Sequence, residues 1–196
     1  KIISAILLAG LLIGISTSKT SAQQTEQGDI QLNAYYGYPY IVGVVLKTWV
    51  EELDSVSNIS ASNTNHLGFR GQYLVSDKVG LGIDYTFSKF SSSYSDNSGT
   101  YTFDATKHRA TLLMNVHFGS SDKLDPFFNT GVGYKTTVLK SSDPNNSYST
   151  SGAAFSIPLS VRVGLGMNYF FTENIGMNLE FGLGGPLIQG GLALAF

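Results

Sequence analysis

The sequence contains no cysteine, which rules out a disulfide framework and a thiolate metal site. Charged residues make up only 13% of it, too few for the charge-dense surface of a soluble helical protein. The net charge of −2 argues against a nucleic-acid partner, whose footprint is basic. Long apolar runs are missing beyond the first fifteen residues, and mean hydropathy is only +0.06. A search for membrane-spanning helices would find nothing further along the chain. What the sequence does have is 22 glycines, 11 tyrosines and 12 phenylalanines in 196 residues. That composition suits strands and turns.

The N-terminal apolar stretch reads as an export leader. Lys1 is a cationic start, residues 2–15 are apolar, and Thr20-Ser21-Ala22 is a small-residue cleavage site, the layout of a secretory signal peptide. The apolar part is short for a membrane anchor, and no cysteine follows it to carry a lipid. The expected division is a cleaved leader over 1–22, a short polar leader over 23–28 and one domain over 29–196. Cleavage removes Lys1 and Lys19, leaving ten cations against fourteen acids, a net charge of −4.

The stretch from residue 153 onward is the most informative. Phe155, Ile157, Leu159, Val161, Val163, Leu165, Met167, Tyr169 and Phe171 are all apolar or aromatic. The residues between them are mostly small or polar, among them Arg162 and Asn168. A period of two marks a strand whose two faces meet different surroundings. The run is long for a soluble strand, which spans about 5–6 residues, and it suits a strand that crosses a bilayer in about 9–11 residues and projects beyond it. After a turn at 172–174 the alternation resumes with Ile175, Met177, Leu179, Phe181 and Leu183. It ends with Leu192, Leu194 and the terminal Phe196.

These alternating runs, and a chain that stops inside a strand on Phe196, resemble the small bacterial outer-membrane β-barrel family, similar in build to OmpX and OmpA. The resemblance covers nearly the whole chain after the leader. It implies an all-β fold, an eight-stranded antiparallel up-and-down transmembrane barrel. It also implies that Phe196 belongs to the signal read by the barrel-assembly machinery, with periplasmic chaperones escorting the chain to the outer membrane. Its motifs are patterns of residue type, so it specifies a fold and no activity.

The remaining strands follow from the same alternation. They are expected over 29–37, 66–76, 79–88, 101–118 and 127–139, with Ser/Asn-rich loops at 55–65, 89–100 and 140–152 and turns at 76–78 and 120–126. Between strands one and two, Val42, Val45, Leu46, Trp49, Val50 and Leu53 recur at helical spacing, predicting a short amphipathic helix over 39–54 in the first extracellular loop. A prolonged first strand is the rival reading, because 41–46 is rich in β-formers. The functional reading of Trp49 is a loop contact with a partner or the membrane interface. The plainer reading is a cap over the barrel mouth.

The outward positions carry no charge across the membrane band. The inward positions collect Arg70, Gln72, Asp84, Arg109, Asn115, Lys135, Arg162, Asn178 and Glu180. An eight-stranded barrel has interior room mainly for its own side chains, and an unpaired buried charge is costly. These residues are therefore expected to form one interior polar network, with Tyr35 and His117 among its partners. The four cations outnumber the two acids, an imbalance left to water, the rims or a shift in register.

Sequence motifs for chemistry are weak. Gly131-Val-Gly133-Tyr-Lys135-Thr136 lacks the spacing of a phosphate loop and lies on a strand. Ser120 and Lys123 have the spacing of some acyl-enzymes, but in a turn without partner motifs. His66, His108 and His117 do not share one face, so no metal or other cofactor is expected. The expectation is a non-enzymatic barrel, monomeric, in contact with outer-membrane lipids and with an unidentified extracellular ligand, and structural or surface-interacting in role. A narrow channel is the alternative. A lipid-modifying enzyme, with His108 near the loop serines, is the third reading.

Overall fold

The structure is a computed structural model that describes residues 26–54, 59–96, 99–118, 121, 123–143, 146–153 and 158–196. The expected cleaved leader lies outside the described residues, as do the first positions of the polar leader and Phe155 and Ile157. The elements are β1 Ile30–Tyr38, α1 Ile41–Asp54, β2 Ile59–Ser76, β3 Val79–Asp96, β4 Gly99–His117, β5 Leu124–Asp143, β6 Asn146–Ala153, β7 Leu159–Phe170, β8 Ile175–Leu183 and β9 Ile188–Ala195.

Every neighbouring pair is antiparallel. The sheet runs β4-β3-β2-β1-β9-β8-β7-β5, and a β4–β5 ladder closes it. Closure leaves eight staves, with no open edge along the body of the barrel. β6 is not a ninth stave. It pairs with the distal end of β5 over Val138–Asp143, above the part of β5 that pairs with β7. At the other seam the backbone of Phe196 exchanges two 3.0 Å hydrogen bonds with Ile30.

Alternation sets the two faces. On β7, Val161, Val163, Leu165, Met167 and Tyr169 are exposed, while Ser160, Arg162, Asn168 and Phe170 are buried. The exposed set continues around the barrel through Phe69, Leu81, Ile83, Leu112, Val132, Phe181 and Leu192, a girdle of hydrocarbon-facing side chains. Aromatic residues edge it, with Tyr36, Tyr85 and Tyr134 on the outer side and Tyr73, Phe118 and Phe171 on the periplasmic side. Rings with an apolar body and a polar tip suit both interfaces.

Three loops expected from their serine and asparagine content are strand instead. Residues 59–65 belong to β2, 89–96 to β3, and 140–143 and 146–152 to β5 and β6. Ladders explain the correction. Each polar residue keeps its backbone paired, from Ile59↔Tyr94 through Asp96↔Gly99 to Leu139↔Gly152, and hydroxyls add cross-strand bonds such as Ser60 to Ser93 at 2.8 Å. β2 to β5 therefore rise past the girdle as a wall. From Phe87 to Asp96 that wall adds on the order of 25 Å along the strand. The β8–β9 hairpin, by contrast, turns at once after Leu183.

The helix begins two residues later than expected. It is seated by Tyr40, which is buried against Phe90 and Ala105 with Ala61 and Leu139 alongside. Asn65 joins it to the wall, accepting from the Tyr40 amide at 3.0 Å and donating to the Tyr36 hydroxyl at 2.9 Å. A bulge at 64–67 of β2 lets Asn65 and His66 both reach these inner partners. Trp49 stands outward on the helix with Ile41 and Val45, all well exposed.

Candidate functional site

The barrel interior divides into layers. At the periplasmic end Leu74, Phe127, Phe170, Ala193 and Ala195 fill the lumen. Phe170, Ala193 and Ala195 pack as one cluster. Above them lies a hydrogen-bonded amide layer around Asp125. Its carboxylate meets His117 Nδ1 at 2.6 Å and accepts from Asn168 Nδ2 at 2.9 Å. Asn178 donates to Asn168 at 2.8 Å, and Gln72 donates to Gln31 at 2.6 Å. Asn115 donates to the Gln72 carbonyl oxygen.

A chain of five charges crosses the middle of the lumen. Arg109 Nη2 lies 3.3 Å from Asp84, Arg70 bridges Asp84 at 3.1 Å and Glu180 at 2.7 Å, and Arg162 holds the other oxygen of Glu180 through Nη2 and, at 2.9 Å, through Nε. The Tyr35 hydroxyl donates to Asp84 at 2.7 Å. Gln189 ties Arg162 to Glu180, accepting at 3.0 Å from one and donating at 3.0 Å to the other. Asp84, Arg162 and Glu180 are each 0% exposed. Charges so deeply withdrawn from water are stable only when each finds its counter-charge and hydrogen bonds. The carboxylates sit between the arginines, as that requires.

Arg70, Gln72, Asp84, Arg109, Asn115, Arg162, Asn178 and Glu180 all point into the lumen, in two layers and not as one network. Lys135 stands apart, half-buried at the outer mouth and outside the ion-pair chain. The expected imbalance of four cations to two acids is therefore three to two in the central chain. Asp125 was placed in a turn by its neighbours Ser-Asp-Lys and Pro126, yet it is the organising acid of the lower layer. The signal that could have found it is parity, since it lies two residues before the inward Phe127.

Above the charge chain, at the outer mouth, a cavity of about 450 Å³ is lined on one side by His66, Lys107, Arg109 and Lys135 and on the other by Val161, Leu183 and Leu187, with Tyr40 and Ile41 over it. Next to it His66 and Ser88 form a 2.6 Å hydrogen bond between Nδ1 and Oγ. The gap that Ser88 borders is only about 10 Å³, room for one water. An acyl group cannot reach Ser88 there. His108 faces outward and meets the Tyr85 hydroxyl at 2.7 Å, with no serine beside it among the described residues.

A closed barrel with an apolar girdle outside and ion pairs inside is a transmembrane β-barrel of the outer-membrane kind. The chain belongs to the outer membrane protein beta-barrel domain family, whose model matches residues 6–184. That family places it in the bacterial outer membrane. Two solved structures from Pseudomonas aeruginosa share the fold. The outer membrane protein OprG aligns over 89% of this chain and 99% of its own with a TM-score of 0.53 and 14% identity. The N-terminal β-barrel domain of OprF aligns over 87% and 98% with a TM-score of 0.50 and 15% identity. No curated protein matches the sequence.

Proposed function

We propose that this protein is a non-conducting, non-enzymatic barrel of the outer membrane whose role is structural or surface-interacting, exercised through the wall that β2 to β5 raise above the membrane. The observation that carries this reading is the filled lumen. Three arginines and two carboxylates close it at mid-height, and the apolar side chains from Leu74 to Ala195 close it below. A solute would have to break buried ion pairs to pass. Against an enzyme stands the confinement of Ser88, the one serine in contact with a histidine among the described residues.

The wall supports a surface role. Its upper part holds a hydroxyl-rich hollow of about 340 Å³ lined by Ser60, Ser62, Ser91, Ser93, Thr102 and Asp104. Serine and threonine hydroxyls offer adaptable hydrogen bonds to an extracellular partner. The barrel works as a monomer in this reading, contacts outer-membrane lipids through its girdle, and reaches them by export and the barrel-assembly machinery.

Planar-bilayer recording tests the central point. The folded protein is expected to show no discrete openings, while replacing Arg70, Arg162 and Glu180 together by serine opens a water path and brings channel events. Steady unitary currents from the unaltered protein would overturn the closed reading in favour of a narrow channel.

A further inference from the structure

The outer-mouth cavity holds positive charge that the barrel itself does not neutralise. Asp84 and Glu180 are shared among Arg70, Arg109 and Arg162, so the buried chain keeps one positive charge in excess. Lys107 and Lys135 add two more directly above it. Among the described residues no carboxylate lines the cavity.

Two buried guanidiniums also have unused donors here. Arg109 lines the cavity and is 4% exposed, yet its Nε has no hydrogen-bond partner; Nη1 of the fully buried Arg162 has none either. Both guanidiniums abut Gly185 in the cavity wall, where a β-carbon would overlap Nη1 of each. Glycine at 185 thus permits the cations to come up to the mouth. Buried donors are ordinarily satisfied, and a site with spare donors and excess charge is complementary to an oxyanion. Lys107 stands just above the girdle, one residue beyond the outward His108 at its outer edge. Burial, Arg109 and Lys135 together hold its ammonium below the usual lysine range, an unfavourable crowding that an anion would relieve.

We infer that the outer mouth is a binding site for a multiply charged oxyanion of the phosphate type, held by Lys107, Lys135 and Arg109. The group could be presented by a soluble phosphate or by the headgroup of a phosphorylated lipid. The second source has its own support, since Val161, Leu183 and Leu187 on the opposite side are exposed apolar side chains at the outer edge of the girdle. A hydrocarbon tail would lie over them while the phosphate enters the basic side. The site does not depend on whether the lumen conducts.

The test is titration of the folded full chain in dodecyl maltoside with pyrophosphate, followed by calorimetry. A second arm measures retention of phosphatidic acid against diacylglycerol in mixed micelles. Saturable one-to-one binding of at least one phosphate probe is expected. The double change Lys107→Gln/Lys135→Gln should weaken it at least about tenfold, as loss of two charge-assisted contacts implies, while the heat-modifiable gel mobility of the folded barrel is kept. Lys89→Gln, on the outer side of the wall, should leave it unchanged. Binding of pyrophosphate identifies a soluble anion as sufficient, and retention of phosphatidic acid alone identifies a headgroup. If the double variant loses its folded mobility, Lys135→Gln at the half-buried edge of the cavity carries the same comparison. Neither probe binding, or binding indifferent to the lysines, would overturn the site.

Discussion

The same four strands, β2 to β5, carry two opposite arrangements. Below the outer membrane edge their outward residues are apolar and their inward residues polar, as with Leu112 against Arg109 and Thr111, or Ile83 against Asp84. Above it the order inverts. Phe90, Ala105 and Leu139 face inward beneath Tyr40, while Lys89 and Asp104 face outward and pair at 3.0 Å. The backbone ladder runs unbroken across the switch on β3 and β4, from Asp84↔Thr111 to Phe90↔Ala105. The strand does not change at that level; the solvent does. In hydrocarbon a barrel hides its polar groups within, and in water the wall hides its apolar ones, as a soluble sheet does.

Several substitutions sharpen this contrast. Glu180→Leu should have the largest effect, because it leaves Arg70 and Arg162 buried with their shared acid gone. Breaking a buried pair costs about 3–5 kcal/mol, read as a lower urea midpoint for the protein folded into lipid vesicles. Leu112→Arg on the girdle should cost about 2–4 kcal/mol in the same assay, whereas Thr102→Arg on the wall should change stability by less than about 0.5 kcal/mol. Equal costs at the two positions would erase the proposed boundary.

Phe90→Ala should act locally. It removes the centre of the small apolar core under Tyr40, at a cost of about 3 kcal/mol. Hydrogen exchange should quicken in α1 and in the upper ends of β2 to β4, with the amides of β7 to β9 unaffected. The smallest effect belongs to Asp104, whose carboxyl is held below the usual carboxylate range by the Ser91 hydroxyl and by Lys89. A lowered folded-state value means its stabilisation is complete above the ordinary aspartate range. That stabilisation fades as the pH falls through the lowered value. The pair is partly exposed, so Asp104→Asn should alter stability by only about 0–1 kcal/mol, and mainly above pH 4.

Much of this was legible in the sequence, and for one physical reason. Lipid on one side and a lumen on the other force strict alternation, so parity alone sent Arg70, Asp84, Arg109, Arg162 and Glu180 inward and Leu67, Leu112 and Leu165 outward. The wall was not legible in the same way. Water bathes it, so Ser91, Ser92 and Ser93 carry no strong contrast between faces, and composition pointed to loops. A fainter signal was present, since Phe90 and Ala105 fall on the inward parity of their strands, the reverse of the girdle. The His66–Ser88 pair escaped because the β2 bulge at 64–67 changes which residues lie opposite one another. The basic mouth escaped because Lys107 was not among the inward charges collected from the membrane band.

Absence of cysteine makes the decisive measurement clean. Single cysteines at outward positions of β4, from Val116→Cys through Met114, Leu112 and Ala110 up to Thr106, Asp104 and Thr102, can each be spin-labelled in protein reconstituted into lipid. Collision with oxygen, which concentrates in hydrocarbon, is compared with collision with a water-soluble nickel chelate. Oxygen should dominate from 116 to 110 and the chelate from 106 to 102, with the crossover near His108. A chelate-dominated profile along the whole strand, or a crossover well inside the girdle, would contradict the account.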